Sequence, residues 1–213
     1  MQNIKEILYR SFATSKRFKK LLFLVAAIYI VTFLIGYALV YIRFPFIVEM
    51  SEAIIEGVSD NPVLTPILSS LMGGNLAVAI AYTFLVNLAS GAFASTTLPG
   101  VIPLLGGIGS IAVTGFRGFI IGALYYYAFN VSLGYTVLAL GTAILELGAY
   151  VFSAVAGINI SLATIFPKRY QVNSRWVAFK MAWKDAGRIY VIVIILLALG
   201  AIWEMTGLYL FMP

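Results

Sequence analysis

Arg117, Glu146 and Glu204 are ionisable residues set in long apolar runs. Between positions 76 and 166 the chain carries two formal charges, Arg117 and Glu146, and Glu204 falls in the last apolar stretch. A charge within hydrocarbon costs on the order of several kcal/mol unless it is paired or hydrated. Two chemistries suit such a set. One is an ion pair that holds helices in register, costly to break though of small net stability. The other is a polar site that binds an ion or substrate, since two acids and one base leave one carboxylate in surplus. Asn87, in another apolar run, adds a group able to hydrogen-bond between helices.

Residue types also narrow the chemistry. The chain has neither Cys nor His. Disulfides, thiolate or imidazole metal ligands, and Ser-His or Cys-His nucleophiles are therefore excluded. Asp60 and Asp185 fall outside the expected spans, which argues against an intramembrane protease built on two aspartates. Two glutamates without His make thin acid–base equipment. No catalytic residue, metal site or cofactor is expected.

The elements that must position these residues are membrane helices. The 213 residues are 62% hydrophobic and 10% charged, with mean hydropathy +1.01, where a soluble domain is about 25% charged. The expected fold is an all-α integral membrane protein, a single transmembrane domain over 1–213. Segment 21–42 is uncharged and about 33 Å long as a helix, enough to span and too long for a cleaved leader. The net charge of +6 is not spread as a nucleic-acid footprint. Six basic residues (Lys5, Arg10, Lys16, Arg17, Lys19, Lys20) precede the first span. Six more (Lys168, Arg169, Arg175, Lys180, Lys184, Arg188) precede the last. Positive-inside logic places both clusters in the cytoplasm, and 44–75, which has no Lys or Arg, outside. An odd number of crossings must then lie in 76–166, and three fit. The expected spans are 21–42, 76–96, 101–129, 134–165 and 189–211. The amino terminus is expected in the cytoplasm and Pro213 outside, in a cell membrane. Pro103 with Gly106, Gly107 and Gly109 is expected to break the third span near its start.

Two amphipathic helices, in 1–20 and over 174–188 of the basic segment 166–188, are expected to flank the bundle and lie in the inner interface. In the second, Ser174 is a candidate N-cap, Trp176 and Trp183 fall on one side, and Lys180 and Lys184 lie nearer the other. The expected partner there is anionic lipid of the cytoplasmic leaflet. In 44–75, Glu49, Glu52, Glu56 and Asp60 follow i+3, i+4, i+4 spacing, an acidic stripe on one helix face. It reads as a solvated outer face, with a basic partner or cation attraction as the functional alternative. Gly115, Gly118 and Gly122 form a small-residue stripe suited to close packing within one chain. Arg117 and Glu146 lie almost equally far from a turn centred near 131. In an antiparallel hairpin they share one depth and are expected to pair, with Glu204 as a third member of the layer.

Four spaced pieces are similar to the stage II sporulation protein M family of multipass membrane proteins. Residues 84–88, Phe-Leu-Val-Asn-Leu, resemble the family's Phe-Leu-Asn-Asn-Leu entry. Arg117-Gly118 through Gly122-Ala123 falls where the family has Asn-Gly and then apolar-Gly. Leu145-Glu146-Leu147, followed by Ala154 to Gly157, resembles its Glu-Leu helix running into Ala-Gly. Lys184-Asp185-Ala186-Gly187-Arg188 with Trp203-Glu204 resembles its Asp-Ala-Gly-Arg loop and late-helix Glu. The resemblance covers roughly 76–208. Arg117 replaces an Asn, and Thr142 stands where many members have a His. The resemblance implies a membrane protein without catalysis, a scaffold or subunit of a membrane complex with protein partners. The alternative from the residues is a small permease or channel component using Arg117, Glu146 and Glu204. Homo-oligomerisation stays open, and no nucleic acid is expected to bind.

Overall fold

The structure is a computed structural model that describes residues 3–58 and 60–211. The expected placement of Pro213 lies outside the described residues. Among these residues there is no strand, and the helices follow the apolar runs. Helix α1 is Ile4–Arg17, capped by the Asn3 side chain, which accepts from the Lys5 backbone N–H at 3.3 Å. Helix α2, Lys19–Tyr41, follows after a one-residue break at Phe18. Arg43, at φ 57°, then turns the chain, and Pro45 starts helix α3, Pro45–Glu56. Helix α4, Thr65–Met72, is joined to α5 through Gly74 at φ 74°, a conformation glycine adopts without strain.

Helix α5 runs Leu76–Val86. It widens to π hydrogen bonding over Asn87–Thr97 and tightens to a 3₁₀ turn at Leu98–Val101. Pro103 and Leu104, at φ 64°, separate it from α6, Leu105–Phe129. After the turn, Ser132 caps α7, Leu133–Thr142, by accepting from the Tyr135 N–H at 3.3 Å. A π segment at Ala143–Leu147 leads into α8, Gly148–Ile165. A 3₁₀ turn at Pro167–Tyr170 precedes α9, Arg175–Phe211.

Five of these helical stretches are long and apolar enough to cross a membrane: Lys19–Tyr41, Leu76–Val101, Leu105–Phe129, Leu133–Ile165 and Arg175–Phe211. The chain is an all-α protein with five such helices. Three boundaries differ from the sequence reading by four residues or more. The second span extends to Val101, because π and 3₁₀ turns carry the helix through the Ala, Ser and Thr residues beyond 96. The third starts at Leu105, on the far side of Pro103. The largest difference is at the end. The expected interfacial helix in 174–188 and the span 189–211 are one continuous helix of 37 residues. Nothing between Arg175 and Arg188 interrupts a helix apart from Gly187, which costs about 1 kcal/mol and does not break the hydrogen-bond ladder.

The Cα packing divides the chain into two units. The first comprises 1–27, 88–114 and 148–196, the second 28–87, 115–147 and 197–213. In the first unit, the Cβ that Gly100 lacks would strike the Gly157 backbone, so these chains meet at van der Waals distance. Around that contact Thr97 Oγ1 donates to the Ser153 carbonyl at 2.8 Å, and Ser110 Oγ donates to the Thr96 carbonyl at 2.6 Å. In the second unit, α2 and α6 approach closely. A Cβ at Gly118 would meet Thr32 and Tyr29, and one at Gly122 would meet the Phe33 backbone. Gly36 faces Phe119 in the reciprocal way. Aromatic pairs extend the same seam, Phe33 with Tyr125 and Tyr37 with Tyr126, both at 5.7 Å between centroids.

Candidate functional site

The second unit brings Asn87, Glu146 and Glu204 together. Glu146 sits in the π segment between α7 and α8, and Asn87 opens the π stretch that follows α5. A π turn rotates the following residues on the helix surface relative to an α-helix, and such turns recur at functional sites. Asn87 Nδ2 donates to Glu146 Oε1 at 2.6 Å. The Glu146 carboxyl also hydrogen-bonds that of Glu204 on α9. Two carboxyls can hydrogen-bond only when one of them carries a proton. The Arg117 charge acts on Glu146 through space, and Tyr29 and Tyr125 lie in the same electrostatic neighbourhood.

Gly200, one turn before Glu204, makes room for this meeting. A Cβ there would come within 3.0 Å of Glu146 Cγ. The carboxyls, half-buried, open on a cavity of about 200 Å³. Its other walls come from Thr83 and Asn87 on the second span and from residues of α4, including Leu68 and Leu71.

The remaining sequence candidates are placed as follows. Gly115 meets only the methyl groups of Ile28 and Thr32, at 3.6 Å, whereas Gly118 and Gly122 meet backbone. Glu49 and Glu52 are exposed on α3 and line a cleft with Arg43, Tyr126 and Tyr127. Glu56 ends α3, so the acidic stripe stops there and Asp60 lies beyond the helix in a turn. Gly57 caps that end where continuous periodicity would have carried the helix to Asn61. Trp176 stacks on Phe179 with centroids 5.4 Å apart, and Lys180 Nζ sits 5.1 Å from the Trp176 ring. Phe179 also meets Trp183, and Lys184 is exposed.

A second polar centre lies in the first unit. Asp185 is 3% exposed and accepts from Tyr170 Oη at 2.9 Å. Arg17 Nη1 lies 3.2 Å from its Oδ2, and Arg188 Nη1 3.3 Å from its Oδ1. Asn159 Nδ2 donates to Tyr170 Oη at 2.7 Å. Burial pushes the Tyr170 phenol up to about 12, and the Asp185 charge beside it acts in the same sense. This centre is fully partnered and ties α1, the 167–170 turn and α9 together.

A family model described as stage II sporulation protein M matches residues 21–206. The chain belongs to this family. The match begins at residue 21, so α3, α4 and all but the first two residues of α2 fall within it, where the motifs alone reach back only to about 76. No curated protein and no solved structure matches. Among family-like pieces, Glu146, Glu204 and Asn87 converge in the second unit, and Asp185 and Arg188 bond in the first. Sequence reasoning missed Thr83 and Gly200 at the site.

Proposed function

We propose that this family member is a non-enzymatic subunit of a membrane complex, of the permease or channel type, that handles a small charged species at Glu146 and Glu204. The observation that carries this is the cavity reaching both carboxyls. A purely structural ion-pair layer would be closed, with its charges buried against one another. Here the acids border open volume, with Asn87 and the nearby Arg117 charge beside them. No phosphate-binding loop occurs in the sequence, so energy-driven movement would need a separate ATPase. The cell membrane is the expected site, with the basic clusters on anionic lipid.

Downhill flux needs no such partner and tests the reading. Purified protein in liposomes is expected to admit Na⁺ or protons faster than empty liposomes, and Glu146→Gln to remove the difference. Wild-type liposomes as tight as empty ones would overturn the permease reading. A second reading, a scaffold without transport, follows from the family description and from the exposed carboxylates of α3. It predicts that exchanging Glu49 and Glu52 for Gln releases partner proteins that co-purify from native membranes.

A further inference from the structure

We infer that the cavity beside Glu146 and Glu204 binds a small, hard monovalent cation through oxygens of Thr83, Asn87, Glu146 and Glu204. The inference deepens the permease reading, on which it rests for the choice of site. Paired acids alone do not make a cation site. The independent observation is Thr83. It lines the same cavity, is only 5% exposed, and its hydroxyl has no hydrogen-bond partner in the protein. A buried hydroxyl without a partner loses about 1–3 kcal/mol relative to one that is bonded. Thr142, on α7, shares that lack of a partner but does not line the cavity, and other Thr residues avoid the cost. Thr32 donates to the Ile28 carbonyl at 2.9 Å and Thr114 to the Ser110 carbonyl at 2.7 Å. Thr83 makes no such bond, which leaves its oxygen available.

Thr83 and Asn87 are one turn apart on the second span, and both border the cavity. Asn87 spends its amide N–H on Glu146, so its carbonyl oxygen is the atom that can serve a cation. The donor set is then hydroxyl, amide carbonyl and two carboxyls, all hard oxygens. Charge selects the valence. Binding releases the proton that the pair shares, after which two carboxylates and the nearby Arg117 charge sum to a single negative charge, which one monovalent ion neutralises. A divalent ion would leave an excess positive charge in a low-dielectric surround, a costly arrangement. At about 200 Å³ the cavity also holds several waters at ~30 Å³ each, so the ion need not be stripped completely.

The test is ion-specific stabilisation of the full chain in detergent micelles. Thermal unfolding is followed while NaCl replaces choline chloride at constant ionic strength. Ligand binding to the folded state raises Tm with concentration. Wild type is expected to show a saturable rise with Na⁺. Thr83→Val should weaken the apparent affinity roughly tenfold, the loss of one charge-assisted contact. Thr83→Ser, which restores the oxygen, should recover it. Glu204→Gln should abolish the rise. If Glu204→Gln does not fold, the Thr83 pair decides alone. Equal Tm in the two salts would overturn the inference, as would an unchanged Na⁺ response in Thr83→Val. Na⁺ stabilisation without liposome flux would uphold this site and overturn the permease reading. Flux without Na⁺-specific stabilisation would overturn the site alone.

Discussion

At the scale of single residues, the Asn87–Glu146 hydrogen bond is the direct contact that holds the carboxyl pair to the second span. Glu146→Ala leaves the Asn87 amide without its acceptor and should destabilise by about 1–3 kcal/mol. Asn87→Ala should cost less, since Glu146 keeps Glu204. The double variant should recover part of the sum. A coupling of about 0.6–1.7 kcal/mol, the range for interhelical hydrogen bonds in membranes, is expected from thermal unfolding of the four proteins. Strict additivity would remove this bond from any account of the site. By contrast, Lys180→Gln or Lys184→Gln changes an exposed charge worth about 1 kcal/mol or less at a membrane surface. The polar residues of this site stood out in the sequence because Arg, Glu and Asn are rare in apolar runs. Thr83 did not. Thr is ordinary in membrane helices, where its hydroxyl bonds the preceding turn, and nothing local marks a Thr that fails to, as Thr83 and Thr142 do. Gly200 was silent for the same reason, as its meaning lies in what faces it.

At the scale of elements, glycine contacts predict which helix surfaces tolerate change. Gly122→Leu forces α6 away from the Phe33 backbone and should cost about 1–3 kcal/mol or more. Gly109→Ala meets nothing within 4 Å and should instead stabilise α6 by about 0.4–1 kcal/mol. Denaturation of both variants in one detergent gives the comparison, and similar losses would refute the packing of α2 on α6. The stripe at Gly115, Gly118 and Gly122 was readable, but its partner was not, because spacing fixes a face and not the helix it meets. The run of α9 through 175–188 was hidden differently. Its composition is that of an interfacial helix, and continuity depends on backbone hydrogen bonds that amphipathic patterning does not report. Asp185 shows the consequence. Read as part of a loop, it is instead buried in α9 between Tyr170 and two arginines. Its phenol partner titrates at about 12 rather than the usual value near 10. The neutral phenol is favoured by the fold, so its contribution is complete below about pH 10 and disappears as pH rises through about 12. The stability gap between wild type and Tyr170→Phe should therefore close between those values, and a gap constant to pH 12 would reject the assignment.

At the scale of the whole molecule, charge is divided unevenly between the two units. The first holds twelve of the fourteen basic residues, and the second holds six of the eight acidic ones. Both basic clusters flank candidate spans closely, at Lys5–Lys20 before α2 and through the first turns of α9. Basic residues within about 15–20 positions of a span set its orientation, whereas acidic residues contribute little. With five crossings, this rule predicts the amino-terminal basic cluster and the turn before α9 in the cytoplasm, and α3 and α4 outside. The number of helices long and apolar enough to cross was legible because apolar length is a strong signal. The short helices between the first two spans were less so, because their ends depend on Arg43, Pro45 and Gly57 rather than on hydropathy. The absence of native Cys makes orientation directly measurable by single-Cys labelling with a membrane-impermeant maleimide. Glu52→Cys, exposed on α3, should react in intact cells. Lys180→Cys, exposed on α9, should react only after the membrane is opened. If residue 52 reacts only from the cytoplasmic side, the orientation is inverted. The acidic cleft of α3 would then face the cytoplasm, and the basic helices would lie on the leaflet where anionic lipid is not expected to hold them.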